Sequence, residues 1–488
     1  MSAPHLPFAE GSRAWFRARQ RVRGIQPETG DAILYGLSAA FALVTILSSS
    51  LALYRQWAEL AVGPFLFGAL ASAVLAALAA RRARRRGDGA AEPTPGRRQW
   101  IGRIVVAVVV FAGATAIPLG LEILWRSDGD PGSHVQPEVT VIERGGQTIV
   151  KGKDPYHAVT NAAGKVVYHA PGESTVNTFL PYLPLMTVFG IPSEKKHDIA
   201  LTDARIFFSL ATLLVAAAAL WLCPADGRRK MRALQVIAIF PTAALPLATG
   251  GDDMPVVAFL LLAMVLARRR QPFAAGVVLG IVSAMKFTAW PLAALALFAA
   301  RNRKGARRPL VMFLGMLVVA GPVVVPFALS GPWAFFDNVI LFPLGLSGVN
   351  SPAASPLPGH IIVTAFPFLH RVLPVAVGTV GGALLVWYLY RRPPQTAAQV
   401  CKVAGVVMAV ITLFAPATRI GYLLYPINFF VWAHLFSDRE RGELPEPDLV
   451  AQPPADADTA TTSATMVAGR PGAPGGLSPG RVAGTARG

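Results

Sequence analysis

An all-helical protein threaded repeatedly through a membrane is the fold class this sequence predicts, and three observations predict it. Of the 488 residues 53% are hydrophobic and 15% charged, with a mean hydropathy of +0.48, which is far too apolar for a soluble chain of this length. Apolar runs of bilayer length recur along the chain. The basic residues behind the net charge of +18 stand in short clusters between those runs and form no continuous face, which excludes nucleic acid as the partner.

The elements follow in order. Residues 1–30 are mostly polar and carry Arg13, Arg17, Arg19, Arg21 and Arg23. The first apolar run is long enough to stay in the membrane, so it reads as an anchor and not as a cleaved secretion signal. Spans are expected near 31–53, 60–80, 103–124, 203–223, 233–249, 254–267, 272–285, 288–300, 309–329, 372–390, 398–415 and 419–436, about twelve in all. Basic clusters at 81–86, 228–232, 268–270, 301–308 and 391–392 fall between them. The positive-inside rule then puts every cluster, and both termini, in the cytoplasm of a cell-membrane protein.

TFLPYLPLMTVFGIP, residues 178–192, is apolar but Pro-punctuated. Counted as a span it would send the cluster at 227–232 outside, so it is expected to be a re-entrant or surface helix packed on protein. Two long outer segments result, 125–202 and 330–371, whose aromatic and apolar content favours ordered structure. The helical domain covers 31–436. The tail 437–488 is rich in Pro, Ala, Gly, Thr and Asp without an apolar face and is expected to be disordered. Cys223 and Cys401 are the only cysteines, which rules out a disulfide framework. No short-period repeat is present.

Ionisable residues in such a chain are the first place to look for chemistry. Asp252 and Asp253, in GDDMP, lie in a short outer turn between two apolar runs. By the same topology Lys286, Arg419, His360, Glu138, Glu143 and Asp154 belong to that side. Each has a structural alternative. Lys286 fits a lysine snorkelling from a helix end, Arg419 a counter-ion of the Asp pair, and His360 a locally bonded loop histidine. Asp128 and Asp130, in the flexible run SDGDPG, read as solvated. Composition alone points to a site, not to a reaction.

GKDPYHAV at 152–159, FLPYLPL at 179–185, the stretch TGGDDMP to KFTAWPL at 249–292, FPLGL with SPAASPLPGH at 342–360, and TRIGYLLYP at 418–426 occur in one order. That series resembles the polytopic C-type (GT-C fold) glycosyltransferases that use polyprenyl-phosphate sugars, in particular the family 87 mannosyltransferase-like proteins of actinobacteria. The resemblance spans roughly residues 100–436. It implies a GT-C-like helical bundle with long extracytoplasmic loops. It also implies transfer of a sugar, mannose by analogy, from a polyprenyl-phosphate donor to a hydroxyl of a lipid or glycan acceptor. Such a reaction needs a carboxylate to take the acceptor proton and cations to hold the leaving phosphate. It needs no nucleotide-binding fold, no cofactor and no obligatory metal.

In the family the acid stands more than a dozen residues before the G-x-D-P-Y element, commonly as Asp. Glu138, one methylene longer, occupies that place here and is the expected general base, with Glu143 second. Arg419 is expected on the donor phosphate, helped by His360 and Lys286. Asp154 and Tyr156 are expected to shape the loop or bind sugar hydroxyls. Asp252 and Asp253 stay open between sugar binding, fixing Arg419 or Lys286, and a divalent cation, for which two carboxylates are too few. A transporter or flippase of lipid-linked glycans is the alternative from another class. It would place its polar residues mid-membrane, in paired halves. A non-catalytic scaffold would leave the acids and bases without a purpose.

Overall fold

The structure is a computed structural model and describes residues 26–86, 97–156, 159–160, 166–167, 179–194, 199–301, 307–343 and 355–437. The basic N-terminus before residue 26, the tail after residue 437 and the Pro-rich part of the second large loop at 344–354 lie outside these residues, as do the expectations that fall on them. Apart from a pair of two-residue strands, Val159–Thr160 and Val166–Val167, the described chain is helical, and an all-α polytopic membrane protein is what it forms.

The long helices are α1 (Pro27–Ser48), α2 (Ala52–Arg86), α3 (Arg97–Asp128) with a π turn at Ala112–Ala116, α5 (Ala204–Leu222), α11 (Arg307–Ser330), α14 (Leu369–Arg391) and α15 (Ala397–Phe414). Between α3 and α5 lies α4 (Pro137–Val150). Between α5 and α11 come α6 (Gly227–Ala238), α7 (Pro241–Thr249), α8 (Asp253–Arg268), α9 (Pro272–Ser283) and α10 (Trp290–Ala299). Two short helices, α12 (Pro332–Phe336) and α13 (Pro358–Ala365), follow α11, and α16 (Leu424–Leu435) closes the described chain.

Each expected span coincides with one of these helices or with the α6–α7 pair, but their lengths differ. Among the described residues seven helices are long and apolar enough to cross a membrane, or eight if α6 and α7, bent by 42°, form one span. The helices α8, α9, α10 and α16 have 16, 12, 10 and 12 residues, short of the ~20 that a bilayer core requires. Their apolar runs are buried in protein instead. Eleven residues of α8, from Met254 to Ala267, belong to the hydrophobic core, as expected of a helix apolar all round. By contrast no residue of α14 is buried. Its apolar surface suits lipid.

Close packing beside the core depends on small residues. A Cβ on Gly276 would stand 2.0 Å from the Met312 carbonyl oxygen, and one on Gly280 2.5 Å from that of Met316. These glycines, four apart on α9, let α11 lie against the α9 backbone.

Two sets of side-chain contacts tie the helices together at two places. At one end Arg103 of α3 and Arg232 of α6 both bond to Asp31 of α1, at 2.6 and 3.1 Å. At the other end Gln136 reaches Tyr54 at the start of α2 and Thr249 at the end of α7, each at 2.9 Å. The described part of the 178–192 segment belongs to this second end: irregular from Phe179 to Leu183, it turns into a 3-10 helix over Pro184–Glu194 packed on α4. The site is built here.

Candidate active site

The two carboxylates of GDDMP are fixed by the turn before them. Gly251 has φ of +91°, a conformation open to glycine and costly to other residues. A Cβ on Gly250 would stand 2.4 Å from the side-chain oxygen of Gln136. The turn ends at Asp252, the N-cap of α8, with Asp253 in the first turn, where the partial positive charge of a helix start favours a carboxylate. Opposite them, the short gap between α9 and the 3-10 turn Phe287–Ala289 places Lys286. Its ammonium nitrogen is 2.6 Å from Asp252 and 2.7 Å from Asp253. Tyr425, next to the start of α16, donates a hydrogen bond to Asp253 and exchanges one with Thr288 at 2.7 Å. The turn acids are therefore a seat for a buried lysine.

Aromatic rings enclose that lysine. The ammonium lies 5.2 Å from the ring centroid of Tyr182 and 5.7 Å from that of Tyr422, inside the range of cation–π attraction. Tyr182 is carried there by the FLPYLPL segment. Leu183 and Leu185 donate backbone hydrogen bonds to the carbonyls of Met285 and Ala284, both at 3.0 Å. Burial works against the charge on Lys286, but Asp252 and Asp253 outweigh it and hold its pKa above the usual lysine range.

Glu138 forms an ion pair with Arg419. Pro137 opens α4, its fixed φ suiting the first helical turn, and puts Glu138 in that turn. Arg419 sits just before the 3-10 turn Ile420–Leu423 that leads into α16. The two side chains are 23% and 29% exposed, so the pair is open to a substrate while the Lys286 cluster lies beneath the surface. One oxygen of Glu138, Oε2, is buried and has no hydrogen-bond partner among the described residues. Burial opposes the charge on Arg419, yet Glu138 and the tyrosines Tyr54, Tyr422 and Tyr182 outweigh it and raise its pKa. Since Tyr182 and Tyr422 also border Lys286, the two charge clusters are one site.

The other candidates are placed differently. Glu143 lies five residues beyond Glu138, about 140° round the helix, and faces inward. Both its oxygens accept from Arg126, at 3.0 and 2.7 Å, and Oε1 also accepts from the backbone of Ala204. Asp154 caps its own turn by accepting from Tyr156 N at 2.9 Å and accepts from Ser330 at the end of α11. Tyr156 donates to the Tyr182 carbonyl at 2.6 Å and packs edge-on against Phe335, so the G-x-D-P-Y element braces the segment that carries Tyr182. His360, in α13, has Nδ1 3.1 Å from the Pro416 carbonyl and Nε2 3.5 Å from Thr364. Ser355 bonds to Ile420 at 3.0 Å and ties that loop beside Arg419.

Sequence reasoning missed Tyr54, Gln136, Tyr182, Tyr422 and Tyr425. Three of these tyrosines stand inside the Pro-punctuated motifs FLPYLPL and TRIGYLLYP, where a tyrosine next to a charged turn was a readable signal. Tyr54 and Gln136 gave none.

Residues 179–416 match the sequence model of glycosyltransferase family 87. That segment is similar to glycosyltransferase family 87. The match covers just under half of the chain, and no curated protein and no solved structure matches it. Within the matched segment lie Tyr182, Asp252, Asp253, Lys286 and His360. Glu138 and Arg419, which pair with each other, flank it on either side.

Proposed function

We propose that this protein is a membrane glycosyltransferase of family 87 that moves a sugar, mannose, from a polyprenyl-phosphate donor to a hydroxyl of a lipid or glycan acceptor on the extracytoplasmic face of the cell membrane. The observation that carries the reading is the half-open Glu138–Arg419 pair, with one carboxylate oxygen unengaged, above the buried Lys286 cluster. Glu138 is the general base. The ion pair opens as Arg419 turns to the donor phosphate; as the acceptor oxygen attacks the anomeric carbon, its proton passes to the freed Glu138 carboxylate and the bond from that carbon to the phosphate oxygen breaks on the opposite face. The electron pair leaves with the phosphate.

Arg419 takes up that charge. Its guanidinium has five N–H donors in a planar fork, enough to hold Glu138 in the resting site and turn another edge to a phosphate. Lys286, paired with Asp252 and Asp253, has its charge neutralised and serves to fix the floor of the site, with Tyr182 and Tyr422 flanking it. His360 joins as a donor when protonated, because its Nδ1 already faces a carbonyl. Asp154 and Tyr156 keep the loop in shape, and Glu143 is a structural acid.

Reconstituted vesicles supplied with labelled polyprenyl-phosphate mannose and a glycolipid acceptor test the reading. A new labelled glycolipid supports it. Label that crosses the bilayer without a new glycosidic bond would sink it in favour of a transporter.

A further inference from the structure

An open cleft lies near Gln136 and Tyr54, at the same end of the helices as the Glu138–Arg419 pair, and nothing in the proposed chemistry uses it. Its volume is about 360 Å³, and Gln56, Trp125, Asp128, Gly129 and His134 line it. Ligand cavities begin at about 300 Å³. Trp125 is 37% exposed, Asp128 is exposed, and Gln56 and His134 are half-buried. One wall is thus an accessible indole, and the others are a carboxylate, an amide and an imidazole.

The loop that forms it is held rigidly. Residues 127–132, SDGDPG, read in the sequence as a flexible run, yet α3 continues to Asp128 and Asp130 accepts from Gly132 N at 3.1 Å. Two buried guanidiniums clamp the rest: Arg126 donates to the Pro131 carbonyl at 2.7 Å and Arg205 to that of His134 at 2.8 Å. His134 has φ of +54°, unusual for a residue with a side chain. Its imidazole is fixed 3.0 Å from the buried Glu122 and 5.5 Å from the Trp125 ring.

We infer that this cavity binds a sugar ring of the acceptor glycan, next to the ring that is glycosylated. The face of an indole is electron-rich and attracts the weakly positive C–H bonds on one side of a pyranose. Carboxylate, amide and imidazole groups accept and donate to its hydroxyls. A tryptophan at a membrane interface is often only an anchor. An anchor needs neither the polar walls nor a loop clamped by two buried arginines. His134 and Glu138 are four residues apart, so their Cα atoms lie at most about 14 Å from each other. One acceptor chain can then span the cavity and the general base.

The inference rests on the glycosyl-transfer reading, and its test separates the two. Full-length protein in detergent is mixed with soluble di- and trisaccharides of mannose, glucose and galactose, and binding is read by saturation-transfer NMR. The expected result is that at least one oligosaccharide binds wild type and Glu138→Gln alike. Trp125→Ala and Asp128→Asn, both on accessible side chains, weaken it at least about tenfold. With glycolipid acceptor the same two variants raise the acceptor KM more than the donor KM. If no member of the panel binds, or if binding survives both substitutions, the inference is overturned even where transfer is observed. Binding that depends on Trp125 in a protein that makes no product would instead overturn the transfer reading and leave a glycan-binding cavity.

Discussion

Lys286 and Asp252, 34 residues apart, meet at 2.6 Å where two short helices turn. Both are nearly inaccessible, and Asp253 completes the cluster from the neighbouring position. A buried charge group of this kind costs desolvation and is kept stable only while its partners remain.

Removing one partner should therefore hurt more than removing all. Lys286→Met leaves two buried carboxylates facing each other and is expected to destabilise the protein by about 3–5 kcal/mol. Adding Asp252→Asn and Asp253→Asn to it should recover most of the unfolding temperature in detergent without recovering transfer. Thermal unfolding of the single and triple variants, alongside their activity, checks both halves. Equal stability of the two variants would contradict the charge-cluster account.

Arg419 calls for a planar fork, so a lysine there is not conservative. Arg419→Lys keeps the charge beside Glu138 and should change stability by no more than about 1 kcal/mol, because the pair is partly exposed. The donor KM should rise at least about tenfold, while that for acceptor moves less. A donor KM unchanged in Arg419→Lys would remove the phosphate from this residue.

Tyr156→Phe deletes the hydrogen bond to the Tyr182 carbonyl and leaves that oxygen buried. A loss of about 1–3 kcal/mol follows, together with looser placement of Tyr182 over Lys286. Hydrogen exchange at Leu183 and Leu185, whose amides bond to the α9–α10 turn, should quicken in this variant. Unaltered protection would show that the brace does not reach the site.

The raised pKa of Lys286 has a direction in pH. A cation whose folded value lies above its unfolded one stabilises the fold fully below the unfolded value, about 10.4. That contribution is lost as pH rises through the folded value. The unfolding temperature should then show no step from Lys286 between pH 6 and pH 9, and should fall on the alkaline side of about 10.4. In Lys286→Met that alkaline fall should be smaller. A titration of stability against pH in both proteins decides it.

Much of the architecture was legible because membrane spans announce themselves by length and apolarity. The short helices α8, α9, α10 and α16 were counted as spans because hydropathy cannot distinguish an apolar run facing lipid from one facing protein. That GDDMP occupied a turn could be read from the apolar runs on either side of it; that its partner was Lys286, and not Arg419, could not. Both cations lay at the same end by topology, and only the FLPYLPL segment, hydrogen-bonded to the α9–α10 turn, decides which one is enclosed. The inward direction of Glu143 was present in the helical period once Glu138 was set outward. The SDGDPG run looked mobile because its clamps, Arg126 and Arg205, lie respectively one residue before it and more than seventy residues after it.

The central claim is that the Glu138 carboxylate takes the acceptor proton. Formation of labelled glycolipid from polyprenyl-phosphate mannose, followed in wild type, Glu138→Gln and Glu138→Asp at matched unfolding temperature, tests it most directly. The account predicts a loss of about a hundredfold or more in kcat for the amide and partial activity for the shorter acid. Wild-type turnover by Glu138→Gln would contradict it.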